Sequence, residues 1–464
     1  MATASTAVSD NPLESFQWTP QPKAEALVKR LAADFLARSA FTRSLKERLQ
    51  NEAGVRLIDL IDHIQLPPAA ANADEFRGAG YVPRAAAGAA QCFVQEQGLF
   101  PPIVVGADNI TRLFLKVESV ADFVSVWQIS SDEKIEGVPL APVRRARINA
   151  SEGAELWVIE RHGYAGFDVP EFSPQRAMLV LKHFEALRRR PRDVARESEG
   201  FAAASSLIDQ AITDVGVDRT CDIFFAAERE YWQRRNTAAR VQKARQDRLG
   251  IGWANHDHHT YRSSREHFAP MIAIFEKLGF AGRERFYAGL QAGWGAQIVE
   301  QPIARIIIFA DVDMSPDELM GDFSHAGLAP RQQLGTVGLW CALHGEAFLQ
   351  AGMHHLECQF DFDGLKQQLE ASAGVKTMKP FTNFPYLRQA FTEGEIWPVR
   401  PQRIEKLLAA GQITQAQADQ FRQHGALGSH LENLERNEGF KGFNQTGISE
   451  IIHRTDPRLQ EVKR

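Results

Sequence analysis

The sequence predicts an α+β protein built from repeated β-α-β-β-β modules, whose mixed sheets curl around a shared cleft, with a helical connector between two β-rich halves. Three observations carry this. An Asp-His pair recurs inside a strand-like run, at His63 in "LIDHIQLPP" and at His258 in "NHDHHTYRS". Thirty-five residues after each of those histidines comes a glycine, Gly98 or Gly293. Around these glycines "GLFPPIVVGADNITRLFLKVESVADF" lays over "GWGAQIVEQPIARIIIFADVDMSPDE", with Ile-Val, Ile-x-Arg, an apolar strand and an acidic helix start in matching places. Matching offsets at several points read as an internal duplication. The apolar period also switches from strand-like to helical at Ser173, and back to strand-like near Gly250.

Taken in order, residues 1–21 read as a flexible lead. A helix follows from Pro22 to Glu52, opened by its proline and carried by apolar residues three and four apart. "VRLIDLIDHIQLPP", "FPPIVVG", "ITRLFLKV", "FVSVWQIS", "RRARINA" and "ELWVIERHG" then read as strands, completing a β-rich module over 22–172. Residues 173–249 read as three helices, the last long and charged, and the run "EALRRRPRD" reads as a solvated helix end rather than a phosphate track. The second half spans 250–464. It holds the amphipathic helix "REHFAPMIAIFEKLGF", the strands "GAQIVE" and "ARIIIFADVD", the capped helix "SPDELMGDF", and the strand "LQAGMHHLECQFDF" running into the helix "DGLKQQLEASAG". Two short helices in "RPQRIEKLLAAGQITQAQADQFRQHG" and a final strand "GISEIIHRTD" close it.

The bulk numbers narrow the function. At 464 residues and a formal net charge of −5, the chain can bury large cores and shows no basic footprint for nucleic acid. No apolar run has the length of a membrane span, and the first residues lack a signal-peptide core. Four cysteines without CxxC spacing argue against a disulfide framework and a thiolate metal site. The expectation is a soluble, cytoplasmic protein.

An iron or manganese centre that activates oxygen uses two neutral imidazoles and one carboxylate on one face of the metal, leaving positions open for substrate and O2. The candidates are His258 on a first strand, His355 on the equivalent strand of the next module, and Glu450 on the final strand. Singly, each is more often a hydrogen-bonded strand residue than a ligand; strand ends at module-like spacing argue for all three together. Strand alternation sets His256 beside His258, with Asp257 and His259 on the other face. Arg262, four residues after His258, shares its face and can grip a carboxylate bidentately or form an ordinary ion pair.

"DHHTYRSS" resembles the Asp-His-x-x-Phe/Tyr-Arg signature of the 2-oxoadipate dioxygenase/decarboxylase (hydroxyglutarate synthase) family, of the vicinal-oxygen-chelate superfamily. "FEKLGF" and "IARIIIFADVDMSPDEL" are similar to that family's helix end and following strand, "AGMHHLECQFDFDGLKQQLE" to its Asn-His-(Leu/Val)-Thr strand, and "ISEIIHR" to its last Glu strand ending in Arg. The likeness covers Gly250 onward, a little under half of the chain. His354 stands where the family has Asn, and Glu357 where it has Thr. In the first half Asp62-His63 has Pro67 in place of the arginine, so that copy reads as degenerate and structural, with Glu160 only a faint echo of Glu450. Arg388 and Arg400 read either as further carboxylate contacts or as surface ion pairs.

The resemblance implies that His258, His355 and Glu450 hold Fe(II), with Mn or Zn as other occupants, and that Arg262 binds the substrate carboxylate. Asp257 or His259 would support the ligands from behind. The implied activity is that of a non-haem iron dioxygenase/decarboxylase acting on a 2-oxo acid or related small carboxylate. Its partners would be that carboxylate and O2, without nucleic acid or membrane, and a homo-oligomer stays open. The competing readings are a non-redox isomerase or lyase of the same superfamily and a non-catalytic ligand-binding protein.

Overall fold

The computed structural model describes residues 18–130, 134–255, 257–444 and 456–459. The chain opens with two helices, α1 (Pro22–Arg38) and α2 (Ala40–Ala53), where the sequence suggests one. Ser39 divides them: its backbone is extended and its hydroxyl accepts the Thr42 N–H, satisfying a donor at the start of α2. Gly54, at φ 64°, ends α2 in the left-handed conformation that glycine adopts without cost.

The first sheet follows: β1 (Ile61–Leu66), α3 (Ala73–Gly78), β2 (Tyr81–Ala86), β3 (Ala89–Gln95), β4 (Ile103–Val105), β5 (Thr111–Lys116), α4 (Val120–Val126), β6 (Val143–Ser151) and β7 (Ala154–Arg161). Its strand order is β2-β3-β4-β1-β5-β7-β6. β1 runs parallel to β4, closing a β-α-β-β-β module, and antiparallel to β5. β5 in turn opens a second, shorter module that closes with β7 parallel to it. The β-branched "FVSV", expected as a strand, lies in α4, because the Ser119 hydroxyl caps the Asp122 N–H and starts a helix there.

The connector is four helices rather than three: α5 (Pro174–Arg188), α6 (Glu197–Val215), α7 (Val217–Gln233) and α8 (Thr237–Asp247). Asn236 caps the Ala239 N–H and splits the long charged stretch in two. The "EALRRRPRD" run does end a helix, yet it is not simply solvated. Arg190 and Arg192 are buried and converge on the buried Glu228, at 2.7 and 2.5 Å.

The second sheet comprises β8 (Asp257–Arg262), α9 (Phe268–Lys277), β9 (Ala281–Tyr287), β10 (Trp294–Gln301), β11 (Ile306–Asp313), α10 (Pro316–Leu319), α11 (Phe323–Ala326), α12 (Thr336–His344), β12 (His355–Gln359), α13 (Phe362–Ala373), β13 (Thr382–Phe384), β14 (Leu387–Phe391), β15 (Ile396–Trp397), α14 (Pro401–Ala409), α15 (Gln415–His424), β16 (Ala426–Leu427) and β17 (His430–Arg436). Eight of these strands order as β13-β14-β17-β12-β8-β11-β10-β9, while β15 pairs with β16. β8 is parallel to β11, β12 is parallel to β17, and β8 and β12 meet antiparallel at the centre. The result is two β-α-β-β-β modules joined at their first strands, as expected, repeating the plan of the first sheet. The proposed overlay is shifted by one strand, however. β4, parallel to β1, is the counterpart of β11, and β5 is the counterpart of β12.

The connector helix α7 and the helix α9 pack on the outer face of β8. Phe225 meets His259 edge-on at 5.0 Å, Tyr261 meets Phe275 at 5.2 Å, and Tyr261 Oη donates to Glu228 at 3.2 Å. Each fully buried phenylalanine here contributes about 2–3 kcal/mol. His259 and Tyr261 are thereby committed to packing, which leaves the opposite face of β8 for chemistry.

Candidate functional site

His258, Thr260 and Arg262 share the inner face of β8 by strand alternation. His258 pairs in register with Glu357 on β12, which pairs with Glu432 on β17. His355 pairs with Thr260 on one side and His430 on the other. The two predicted imidazoles therefore stand on neighbouring central strands, one step apart along the sheet, where each module begins.

Glu450 and His256 lie outside the described residues. Among those described, the carboxylate next to the histidines is Glu432, which the sequence reading missed. Its Oε2 is 3.2 Å from His355 Nε2, and its Oε1 accepts from Gln389 Nε2 at 3.1 Å. The signal was available: Glu432 and Arg436 repeat the Glu-x-x-x-Arg spacing of Glu450 and Arg454, on a strand parallel to β12.

His355 Nε2 also lies 2.8 Å from Thr260 Oγ1, and its Nδ1 is 3.0 Å from His354 Nδ1. Arg436 Nη2 is 3.4 Å from His258 Nδ1, while its Nη1 donates to the carbonyls of Phe440 and Gly442. That grip positions Phe443 against His258, ring to ring at 5.5 Å, and Phe391 flanks His355 at 4.9 Å. Polar groups thus converge within aromatic walls, the make-up of a small-molecule site. Two imidazoles and a carboxylate are the donor chemistry of a non-haem metal centre. Among the described residues, no three His, Cys, Asp or Glu side chains are already gathered around one point.

Arg262 is buried on the same face. Its Nε lies 3.8 Å from Asp311 Oδ2, beyond hydrogen-bond reach, and its guanidinium sits 5.6 Å from the Trp340 ring centre. Nε and Nη1 of Arg262 and Oδ1 of Asp311 have no hydrogen-bond partner among the described residues. Burial pushes the Asp311 carboxyl up to about 8, an effect that the Arg262 charge only partly offsets. Near neutral pH the arginine therefore keeps much of its charge unneutralised in a buried place, which favours an incoming carboxylate.

The other residues singled out in the sequence meet different outcomes. His259 is fully buried on the face opposite His258, packed on Phe225, so it does not support the inner face. His267 is buried too, stacked on Phe201 at 5.2 Å. Arg388 and Arg400 form exposed ion pairs with Asp363 and Asp193. Glu160 accepts the Val120 N–H at the start of α4 and pairs with Arg144, and it is not the counterpart of a site carboxylate. In the first half, the row equivalent to His258–Glu357–Glu432 reads His63–Phe114–Trp157. Phe114 stacks on His63 at 4.0 Å and on Trp157 at 5.7 Å, while Asp62 holds His63 Nδ1 at 2.6 Å and takes both prongs of Arg161.

No family model and no curated protein matches the sequence. Solved structures similar to the chain include a glyoxalase superfamily protein from Ralstonia eutropha, 14% identical, covering 57% of this chain and 97% of its own, with a TM-score of 0.31. A triple variant of 4-hydroxymandelate synthase from Streptomyces coelicolor is 12% identical, covering 85% and 98%, with a TM-score of 0.28. Methylmalonyl-CoA epimerase from Mycobacterium tuberculosis is 13% identical, covering 40% and 89%, with a TM-score of 0.23. Similarity this low carries nothing about substrate, and the module architecture stands on the strand pairing itself.

Proposed function

We propose that the chain is an Fe(II)-dependent dioxygenase that acts on a 2-oxo acid or related small carboxylate by oxidative decarboxylation and hydroxylation. The observation that supports it best is the pairing of His258 and His355 at the module starts with a buried, incompletely paired Arg262 on the same face. His258 and His355 would hold the metal with a carboxylate from Glu432 or, as the sequence motif suggests, Glu450. Bound Fe(II), or Mn or Zn in its place, would supply open positions for a chelating keto acid and, for a redox metal, electrons for O2.

The chain's own groups do the rest. Arg262 binds the far carboxylate through Nε and Nη1 and so orients the substrate along β8. Gln389 holds Glu432 in place through the bond that it already makes. Phe391 and Phe443 exclude water from the reacting end.

A second reading has one observation in its favour. Glu432 Oε2, 3.2 Å from His355 Nε2, makes a carboxylate–imidazole pair that a non-redox cation in an isomerase or lyase takes as readily as iron does. Anaerobic purification with metal analysis, followed by O2 uptake with a panel of 2-oxo acids, separates the two. Substrate-dependent O2 consumption with bound iron supports the dioxygenase; metal-dependent turnover without O2 consumption sinks it in favour of the second reading.

A further inference from the structure

A polar cavity of about 310 Å³ opens between the start of α8, the end of α12 and the β15–α14 turn. Its wall carries five arginines, Arg234, Arg235, Arg240, Arg400 and Arg403, against one carboxylate, Glu395. Glu395 is engaged locally, accepting the Thr237 N–H and hydroxyl at 2.9 and 3.0 Å. Arg400 pairs with Asp193, and Arg234 pairs with Glu230. That leaves Arg235 and Arg240 with no carboxylate partner among the described residues, and Arg403 with only Glu197, 3.8 Å away.

These three guanidiniums are nonetheless fixed. Arg235 lies 4.3 Å from the Trp397 ring centre and 5.3 Å from that of Tyr231, with its Nε buried and unpaired. Arg240 donates to the Arg234 carbonyl and to Thr237 Oγ1, both at 2.8 Å. Arg403 donates to the Ala342 carbonyl and to Gln350 Oε1. Holding three like charges around one cavity by neutral acceptors and ring faces costs stability, and an anion that settles among them recovers it. The surroundings register the field: burial pushes His344, on the cavity wall, down to about 3 despite its bond to the Leu427 carbonyl, and Arg235, Arg403 and Arg262 add to the shift.

We propose that this cavity binds the phosphate group of a small molecule, held by Arg235, Arg240 and Arg403. Phosphate chemistry fits better than a lone carboxylate, because three guanidiniums face one cavity and a phosphate offers three terminal oxygens to their forks. The volume exceeds what one phosphate fills, so the group is either carried by an organic molecule or accompanied by water. The site is separate from the face that carries Arg262: Trp340 stands between them, 6.2 Å from the Trp397 ring. The inference stands whether or not the dioxygenase reading does.

The test is isothermal titration calorimetry on the full chain with inorganic phosphate, pyrophosphate, ribose 5-phosphate and succinate. At least one phosphate compound is expected to bind 1:1 and more tightly than succinate, with affinity reduced at least tenfold by Arg240→Gln and by Arg403→Gln and left unchanged by Arg262→Gln. Arg240 is exposed, so its replacement leaves the fold intact, which a thermal melt checks. Tighter binding of ribose 5-phosphate than of inorganic phosphate identifies an organic phosphate as the ligand, and the reverse order identifies the free ion. Absence of binding by all three phosphates, equal affinity in wild type and Arg240→Gln, or preference for succinate overturns the proposal.

Discussion

His63 and His258 occupy the same position in two copies of one module pair, yet His63 lies against the ring of Phe114 where His258 is paired in register with Glu357. One half carries aromatic residues along this row, and the other carries polar residue types at the same register positions. This contrast sets the first prediction. Phe114→Ala opens a cavity in the aromatic ladder and is expected to cost about 3–5 kcal/mol in denaturant unfolding. Metal stoichiometry, measured on the folded variant, is expected to stay at the wild-type value.

Alanine at His258, at His355 or at the true site carboxylate is expected to abolish stoichiometric metal. Glu432→Ala and Glu450→Ala, made separately and measured by elemental analysis after anaerobic purification, decide which carboxylate belongs to the centre. Retention of full metal by both His258→Ala and His355→Ala would remove the metal reading altogether.

Arg262→Lys keeps the charge but loses the fork. With a 2-oxo dicarboxylate the variant is expected to lose about 100-fold in kcat/KM, or about 2.7 kcal/mol, because two directed hydrogen bonds are replaced by one point charge. A monocarboxylate that does not reach Arg262 is expected to lose far less. Equal losses for both substrates would argue that Arg262 is purely structural.

Burial holds His63 down to about 4, below its ordinary value near 6.5, with the bond to Asp62 only partly opposing. Between those two values the unfolded chain binds a proton that the folded chain refuses, so stability falls as pH drops through this window. From pH 7.5 to pH 5 this one residue is expected to remove about 2 kcal/mol. His63→Phe keeps the aromatic stack and removes the proton site. Its loss of stability over the same range, read from urea midpoints, is expected to be smaller by that amount.

Glu228 balances the charges of Arg190 and Arg192 out of contact with water. Glu228→Gln leaves two buried guanidiniums without a counter-charge and is expected to cost about 3–5 kcal/mol, measurable by chemical denaturation.

How much of this was legible in the sequence depended on polarity. β8 and β12 were readable because their histidines fall in short distinctive motifs, "DHHTYR" and "MHHLE", each just before a helix-forming stretch. β17 was not, because "HLENLER" is mostly polar although six of its seven residues are buried. A strand whose polar side chains face a site lacks the apolar alternation by which strands are recognised, and Glu432 was missed with it. The one-strand slip in the repeat has a similar cause. β4 is only three residues long, whereas β5 and β11 each carry a longer apolar stretch, "LFL" and "IIIFA", and attract each other in an overlay. Arg190 and Arg192 were misjudged because their partner, Glu228, comes from another helix.

The aromatic ladder of the first half also gives the molecule an internal blank. Two sheets of one chain share strand order at their centres, a first-strand histidine and the same solvent conditions, and differ in what flanks that histidine. Introducing Phe114→Glu and Trp157→Glu together would rebuild the row His–Glu–Glu beside Arg161, already seated four residues along β7 from Trp157. Whatever such a variant gains, the unmodified second half of the same polypeptide is the reference against which to count it.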